Sequence, residues 1–185
     1  GMPIEGAVVD RNGDGQITPE GDKYIYKSPM APVTMGFTSR FEYKNWDLGF
    51  ALRASLGNYV YNDVMAGASN VSNSAVFYQD SYLTNRPVYE LGYNWQTYDE
   101  TSYLSDRWVQ NASFLKCDNI TLGYSFSNLF KTTSWGGLSG RAYATASNVF
   151  TITNYDGIDP EVKNGIDNNI YPRPFSVVVG LNLQF

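Results

Sequence analysis

Residues 173–185 read "RPFSVVVGLNLQF", and this stretch decides the fold. From Phe175 onward every second residue is apolar, whereas most of the residues between them are small or polar. The apolar set is Phe175, Val177, Val179, Leu181, Leu183 and Phe185. A period of two is the pattern of a β-strand with two unlike faces. We therefore predict a strand that stays regular to the last residue, where soluble domains usually fray.

The composition excludes several classes of function. A net charge of −5 argues against nucleic-acid binding, which needs a basic surface. The chain has no histidine and a single cysteine, Cys117, so it lacks the commonest general base and cannot form an internal disulfide. The 15 tyrosines, 10 phenylalanines and 4 tryptophans suit β-strands and membrane interfaces. The first ten residues, "GMPIEGAVVD", predict no signal peptide in this chain.

Two long stretches near the start of the strand region predict a β-hairpin. Residues 33–43 and 46–57 both alternate between apolar and polar side chains, and Lys44 and Asn45 lie between them as a two-residue turn. One face of the hairpin is apolar and free of charge; the other carries Arg40, Glu42, Asp47 and Arg53. The two strands are about twice the usual length for a soluble sheet. With a tilt of about 45°, they are long enough to cross a bilayer.

The rest of the chain alternates short turns with long loops. We predict further strands over 114–126 and 138–148, long loops over 57–110 and 148–173, and a short helix near 74–83. Residues 1–32 form a loop-rich leading segment with an Asp/Asn/Gly turn, and 33–185 form the strand region. The predicted fold class is all-β, with long antiparallel hairpins whose short turns and long loops follow the pattern of a transmembrane β-barrel.

Five stretches, in this order, resemble the C-terminal part of the SusC/RagA-type TonB-dependent outer-membrane transporters. They are "DRNGDGQIT", "FEYKNWDLGFALRASLGNYVYN", "SFLKCDNITLGYSF", "SNVFTITNYDGIDPEV" and "YPRPFSVVVGLNLQF". The resemblance implies a fragment of a barrel of about 22 strands, holding the last five or six. It implies an outer-membrane location and import of oligosaccharides or peptides. The implied partners are the TonB system, a SusD-like surface lipoprotein and the barrel-assembly machinery, which would read Gly180, Leu183 and Phe185.

The leading segment holds a pattern that is typical of calcium loops. Asp10, Asn12 and Asp14 occupy alternate positions, and Gln16 and Asp22 complete the candidate ligand set. The twelfth position is Gly21, where such loops place a bidentate glutamate. Calcium binding and a metal-free Asx-rich turn are therefore both open interpretations. No other cofactor is expected.

Aromatic side chains in the long loops are candidate contacts for a sugar or a peptide. They are Tyr78, Tyr82, Tyr89, Tyr93, Trp95, Tyr98 and Trp108. Flat rings with amides and carboxylates nearby can bind such ligands by stacking and hydrogen bonding. The alternative is that the rings pack the loops against one another.

Two rival functions remain at this stage. A soluble all-β carbohydrate-binding or adhesin module would need its apolar face covered by a second layer. A glycosidase could use Asp156, Asp159 and Glu161, but the sequence offers no catalytic motif beside these carboxylates. We expect no enzyme activity. We also expect the isolated chain to self-associate, because unpaired strand edges and an apolar face aggregate in water.

Overall fold

The computed structural model describes residues 7–68, 104–129, 137–168 and 171–184. The chain divides into two compact units. The loop unit comprises Gly1–Met30, Asn58–Asn111 and Tyr155–Ile170; the sheet unit comprises Ala31–Gly57, Ala112–Asn154 and Tyr171–Phe185. No helix among the described residues is both long and apolar enough to cross a membrane. The helix predicted near 74–83 lies outside the described residues.

The strands and helices follow the chain in this order. The strands are β1 (Val33–Tyr43), β2 (Trp46–Leu56), β3 (Tyr59–Asn62), β4 (Val109–Asn111), β5 (Phe114–Leu129), β6 (Leu138–Thr153), β7 (Ile166–Asp167) and β8 (Ser176–Gln184). The helices are α1 (Pro19–Asp22), α2 (Asp63–Ala68) and a 3₁₀ helix, Asp106–Trp108.

The sheet unit is one antiparallel sheet with the strand order β1-β2-β5-β6-β8. Among the described residues β1 pairs only with β2, and β8 pairs only with β6, so both are edge strands. The two central strands, β5 and β6, have 16 residues each, well beyond the 9–11 that a tilted strand needs to cross a bilayer.

One face of this sheet is apolar and exposed. Its exposed members include Met35, Phe37, Phe41, Leu48, Leu122, Ile152, Val177, Val179, Leu181 and Leu183. Soluble proteins rarely leave a contiguous apolar patch of this kind uncovered. The soluble-module interpretation required a second layer over this face, and the described part of the chain places none over these side chains.

The hairpin turn between β1 and β2 matches the predicted one. Tyr43 pairs with Trp46 in the register, which leaves Lys44 and Asn45 as the turn, and Lys44 adopts a positive φ of 53°. The ring centroids of Trp46 and Tyr124 lie 4.8 Å apart. Tyr43 is exposed at the same end. Aromatic rings at the end of an apolar band are typical of a membrane interface.

The pairing within the sheet has three register shifts, one of which lies between Phe126 and Leu129 on β5. The register between β5 and β6 shifts between Cys117 and Asn119, and that between β2 and β5 shifts between Ala51 and Leu52. β6 then continues to Thr153, inside the range predicted as a loop from 148. Asn148, the last residue of the predicted strand, has a positive φ of 52° but lies within β6.

The loop unit is built around a small three-stranded sheet. β3 pairs antiparallel with β4 and parallel with β7. The side-chain oxygen of Asn62 accepts a hydrogen bond from the Met65 amide at 2.9 Å, next to the start of α2. The Tyr59 amide donates to the Ser28 carbonyl at 3.0 Å, which ties the leading segment to β3.

Candidate functional site

The polar face of the sheet carries a bidentate ion pair that spans three strands. Arg141 Nη2 on β6 donates to Asp47 Oδ2 on β2 at 2.6 Å, and Arg141 Nε donates to Asp47 Oδ1 at 2.9 Å. β5 lies between these two strands, and the two side chains meet above Gly123. A Cβ at Gly123 would overlap both the guanidinium and the carboxylate. The glycine therefore leaves the space in which this pair forms.

Other charged groups pair on the same face. Arg40 Nη2 lies 3.0 Å from the Glu42 carboxylate and 3.8 Å from that of Asp47. Arg53 Nε donates to Asp118 Oδ2 at 2.5 Å. Polar, mutually paired side chains opposite a charge-free apolar face are the arrangement expected of a barrel wall with water inside and lipid outside.

The predicted ligand-binding aromatics fall mostly outside the described residues. These are Tyr78, Tyr82, Tyr89, Tyr93, Trp95 and Tyr98, and their contact with a ligand stays a prediction. Trp108 is described, and only 3% of it is exposed. The Arg107 guanidinium lies 5.0 Å from the centroid of its ring. Trp108 therefore occupies a packing position in this structure.

The predicted calcium loop is closed by its own hydrogen bonds. The Asp10 carboxylate accepts from the Gly13 amide at 2.7 Å and from the Gly15 amide at 2.8 Å. Both glycines have a positive φ, which their lack of a Cβ allows. Asn12 Oδ1 accepts from the Asp14 amide at 3.1 Å. These are the bonds of successive Asx turns.

Asp22 closes the loop from its far end. Its Oδ1 accepts from the Arg11 amide at 2.8 Å, and its Oδ2 accepts from the Thr18 amide at 2.7 Å. A Cβ at Gly21 would overlap the Asn12 amide group, which gives a steric reason for glycine at the twelfth loop position. Among the described residues no group of three or more His, Cys, Asp or Glu side chains is arranged to hold a metal. The calcium site of Asp10, Asn12, Asp14, Gln16 and Asp22 stays a prediction, which calorimetry with calcium would test.

Acid is expected to open this loop. Hydrogen bonds from the Thr18 amide, and next from the Arg11 amide, lower the pKa of Asp22 below its ordinary value of 3.8. The bonds of its ionised form therefore stabilise the loop above pH 3.8, and that stability is lost as the pH falls through the lowered pKa. The protection of the Arg11 and Thr18 amides against hydrogen exchange, relative to the intrinsic rate at each pH, should fall in that range. In Asp22→Asn these two amides should exchange faster at neutral pH, with no acid transition of their own; an unchanged transition would contradict this role for Asp22.

The carboxylates considered for glycosidase chemistry lie in the turn that follows β6. Asp159 is buried, and its Oδ1 accepts from the Glu161 amide at 2.9 Å, as in an Asx turn. Asp156 is exposed, and its amide donates to Gln110 Oε1 at 3.2 Å. These bonds shape the turn after β6.

One buried polar pair in the loop unit had no signal in the sequence pattern. The Tyr155 hydroxyl donates to Asp167 Oδ2 at 2.6 Å, and both residues are buried. Burial, and next the hydrogen bond to Asp167, raise the pKa of Tyr155. A Cβ at Gly157 would overlap the Tyr155 ring. The pair and the glycine together hold the turn against β7.

Comparisons with known sequences find relatives of one kind. The chain is 53% identical over its whole length to the TonB-dependent receptor SusC of Bacteroides thetaiotaomicron, and covers 18% of that protein. It is 30% identical over 95% of its length to the TonB-dependent receptor P39 of Formosa agariphila, again covering 18% of the relative. No protein-family model matches the chain. The chain thus spans about a fifth of the length of the curated relatives it matches.

Comparisons with solved structures agree with the sequence matches. The RagAB peptide importer in its open-open state aligns with a TM-score of 0.64 and 26% identity, over 92% of this chain and 19% of that one. A structure of the RagAB peptide transporter aligns with a TM-score of 0.66 at 24% identity, which supports the fold. These matches confirm the resemblance and the fold class predicted from the sequence. The relatives are receptors and transporters, which confirms the prediction that the chain is not an enzyme.

Proposed function

We propose that this chain, which corresponds to part of a SusC/RagA-type TonB-dependent transporter, forms barrel wall and loop surface in a protein that imports oligosaccharides or peptides across the outer membrane. The observation that supports this most is the two-faced sheet. Its apolar side chains are exposed on one face, and its charged side chains pair with one another on the other. Such a sheet suits lipid on one side and a polar lumen on the other.

The unpaired edges of the sheet favour its being part of a larger barrel. β1 and β8 each leave one row of backbone groups unpaired among the described residues. Such groups cannot remain unpaired in a bilayer, because lipid supplies no hydrogen bonds. Neighbouring strands of the complete barrel would pair with both edges. Gly180, Leu183 and Phe185 belong to the proposed assembly signal, and Phe185 lies outside the described residues.

The partners are part of the proposal. Transport would be driven through the TonB system, and a SusD-like surface lipoprotein would deliver the substrate to the loops. The names of the relatives support these roles, since one is a TonB-dependent receptor and another is the RagAB peptide importer. We place the substrate contacts on the loop aromatics Tyr78, Tyr82, Tyr89, Tyr93, Trp95 and Tyr98.

Uptake by cells tests this function. Cells lacking the complete protein would be complemented with the wild type or with a variant in which the six loop aromatics are serine. Labelled oligosaccharide and labelled peptide would be supplied in parallel. We expect the wild type to restore uptake of one class, uptake to stop when the proton gradient is collapsed, and the variant to fail. Tyr43→Ser, at the interface end of the sheet, is the matched control. Failure of the wild type with both classes would refute the proposed import function.

The isolated chain is expected to associate in water. Its exposed apolar face and two strand edges should drive assembly into oligomers, and detergent should resolve these by covering the apolar face. Light scattering after size-exclusion chromatography, with and without detergent, measures this. A stable monomer in water without detergent would favour the soluble binding module instead.

A further inference from the structure

Tyr143 on β6 lies directly across from Gly180 on β8. The two residues are partners in the register of these strands. A Cβ at position 180 would overlap Cζ, Cε1 and the hydroxyl oxygen of Tyr143, so the phenol ring occupies the space that any larger residue would fill. Covering of a strand glycine by a cross-strand aromatic ring is a known way of stabilising sheets.

A second glycine lies on the other side of Tyr143, and charged side chains fill the space above it. Tyr143 also pairs with Gly123 on β5, and Gly123 pairs with Asp47 on β2. The Arg141 guanidinium lies above Gly123 and 5.2 Å from the centroid of the Tyr143 ring. Large side chains and glycines therefore alternate along one row of the polar face, from β2 to β8.

We propose that Gly180 provides the space that the Tyr143 ring occupies, and that this fit fixes the register of β8 on the sheet. A two-residue slip would place Val178 or Asn182 against Tyr143, and either side chain would occupy the space of the ring. The apolar face cannot select the register as sharply, because Val177, Val179, Leu181 and Leu183 are similar in size and chemistry. β8 depends on β6 alone for its pairing among the described residues.

This role differs from recognition of Gly180 by the assembly machinery, and a suppressor experiment separates the two. In the complete protein, Gly180→Ala should lower the ratio of folded to unfolded protein by a factor of about 5–30, the effect of one or two kcal/mol. Tyr143→Ala in the Gly180→Ala background should restore most of it, because the added methyl group then has room. Tyr143→Phe alone keeps the ring and should remain close to the wild type. A double variant as defective as Gly180→Ala would overturn the proposal.

Disulfide trapping reads the register directly. In a Cys117→Ser background, Thr145→Cys with Val178→Cys joins partners in the observed register and should cross-link efficiently. Thr145→Cys with Ser176→Cys reports a slip of two residues and should not. Adding Gly180→Ala should decrease the first cross-link, and adding Tyr143→Ala should recover it. If Gly180→Ala leaves the first cross-link at the wild-type level, Gly180 does not fix the register.

Discussion

Val179→Arg is expected to abolish or strongly reduce folding of the complete protein into the membrane. Val179 lies near the middle of β8 on the apolar face and is 78% exposed. A barrel places such a side chain in lipid, where arginine near the midplane costs about 2–4 kcal/mol. The amount of folded protein in purified outer membranes, read from its heat-dependent migration on gels, measures the effect.

The neighbouring residue supplies the matched control. Val178 is the same residue type on the same strand, but it pairs with Thr145 on the polar face. Val178→Arg would place its charge on the polar face and should leave folding close to the wild-type level. Equal effects of the two substitutions would contradict the assignment of the faces to lipid and lumen.

Asp47→Ala is expected to lower the Tm of the complete protein in detergent more than Asp118→Ala does. Both substitutions remove the carboxylate of a bidentate arginine pair. The Asp47 side chain is only 10% exposed, compared with 30% for Asp118. Removing one partner of a buried pair leaves a poorly solvated charge, whereas an exposed partner is replaced by water at little cost.

A double-variant cycle tests whether the unpaired guanidinium of Arg141 causes the loss of stability in Asp47→Ala. Arg141→Ala in the Asp47→Ala background removes the unpaired charge and should recover part of the lost Tm. A Tm for Asp47→Ala at or above that of Asp118→Ala would show that the ion pair over Gly123 does not stabilise the sheet.

Local patterns in the sequence were sufficient to predict the long strands of the sheet. Strict alternation and the turn at Lys44 and Asn45 correctly predicted the strands 33–43 and 46–57 almost to the residue. The two faces followed from the same alternation, because neighbouring residues of a strand point to opposite sides. The predicted strand ended too early at 148, although Phe150 and Ile152 continue the alternation to Thr153.

The contacts between strands could not be predicted in this way. Asp47 and Arg141 are 94 residues apart in sequence, and only the register of β2, β5 and β6 brings them together above Gly123. For the same reason the sequence presented Gly180 as part of a terminal motif rather than as the partner of Tyr143. The short strands β3, β4 and β7 have two to four residues each, too few to establish a period.

The position of each β8 residue relative to lipid is the most direct test of the central claim. A nitroxide label would be placed at each position from 176 to 184 except Gly180, in the complete protein in bilayers. Its collision rates with oxygen, which concentrates in lipid, and with a water-soluble nickel complex would be compared. We predict that oxygen collisions peak at Val177, Val179, Leu181 and Leu183, and that nickel collisions peak at the residues between them. Rates without this period of two, or with the two sets reversed, would contradict the account.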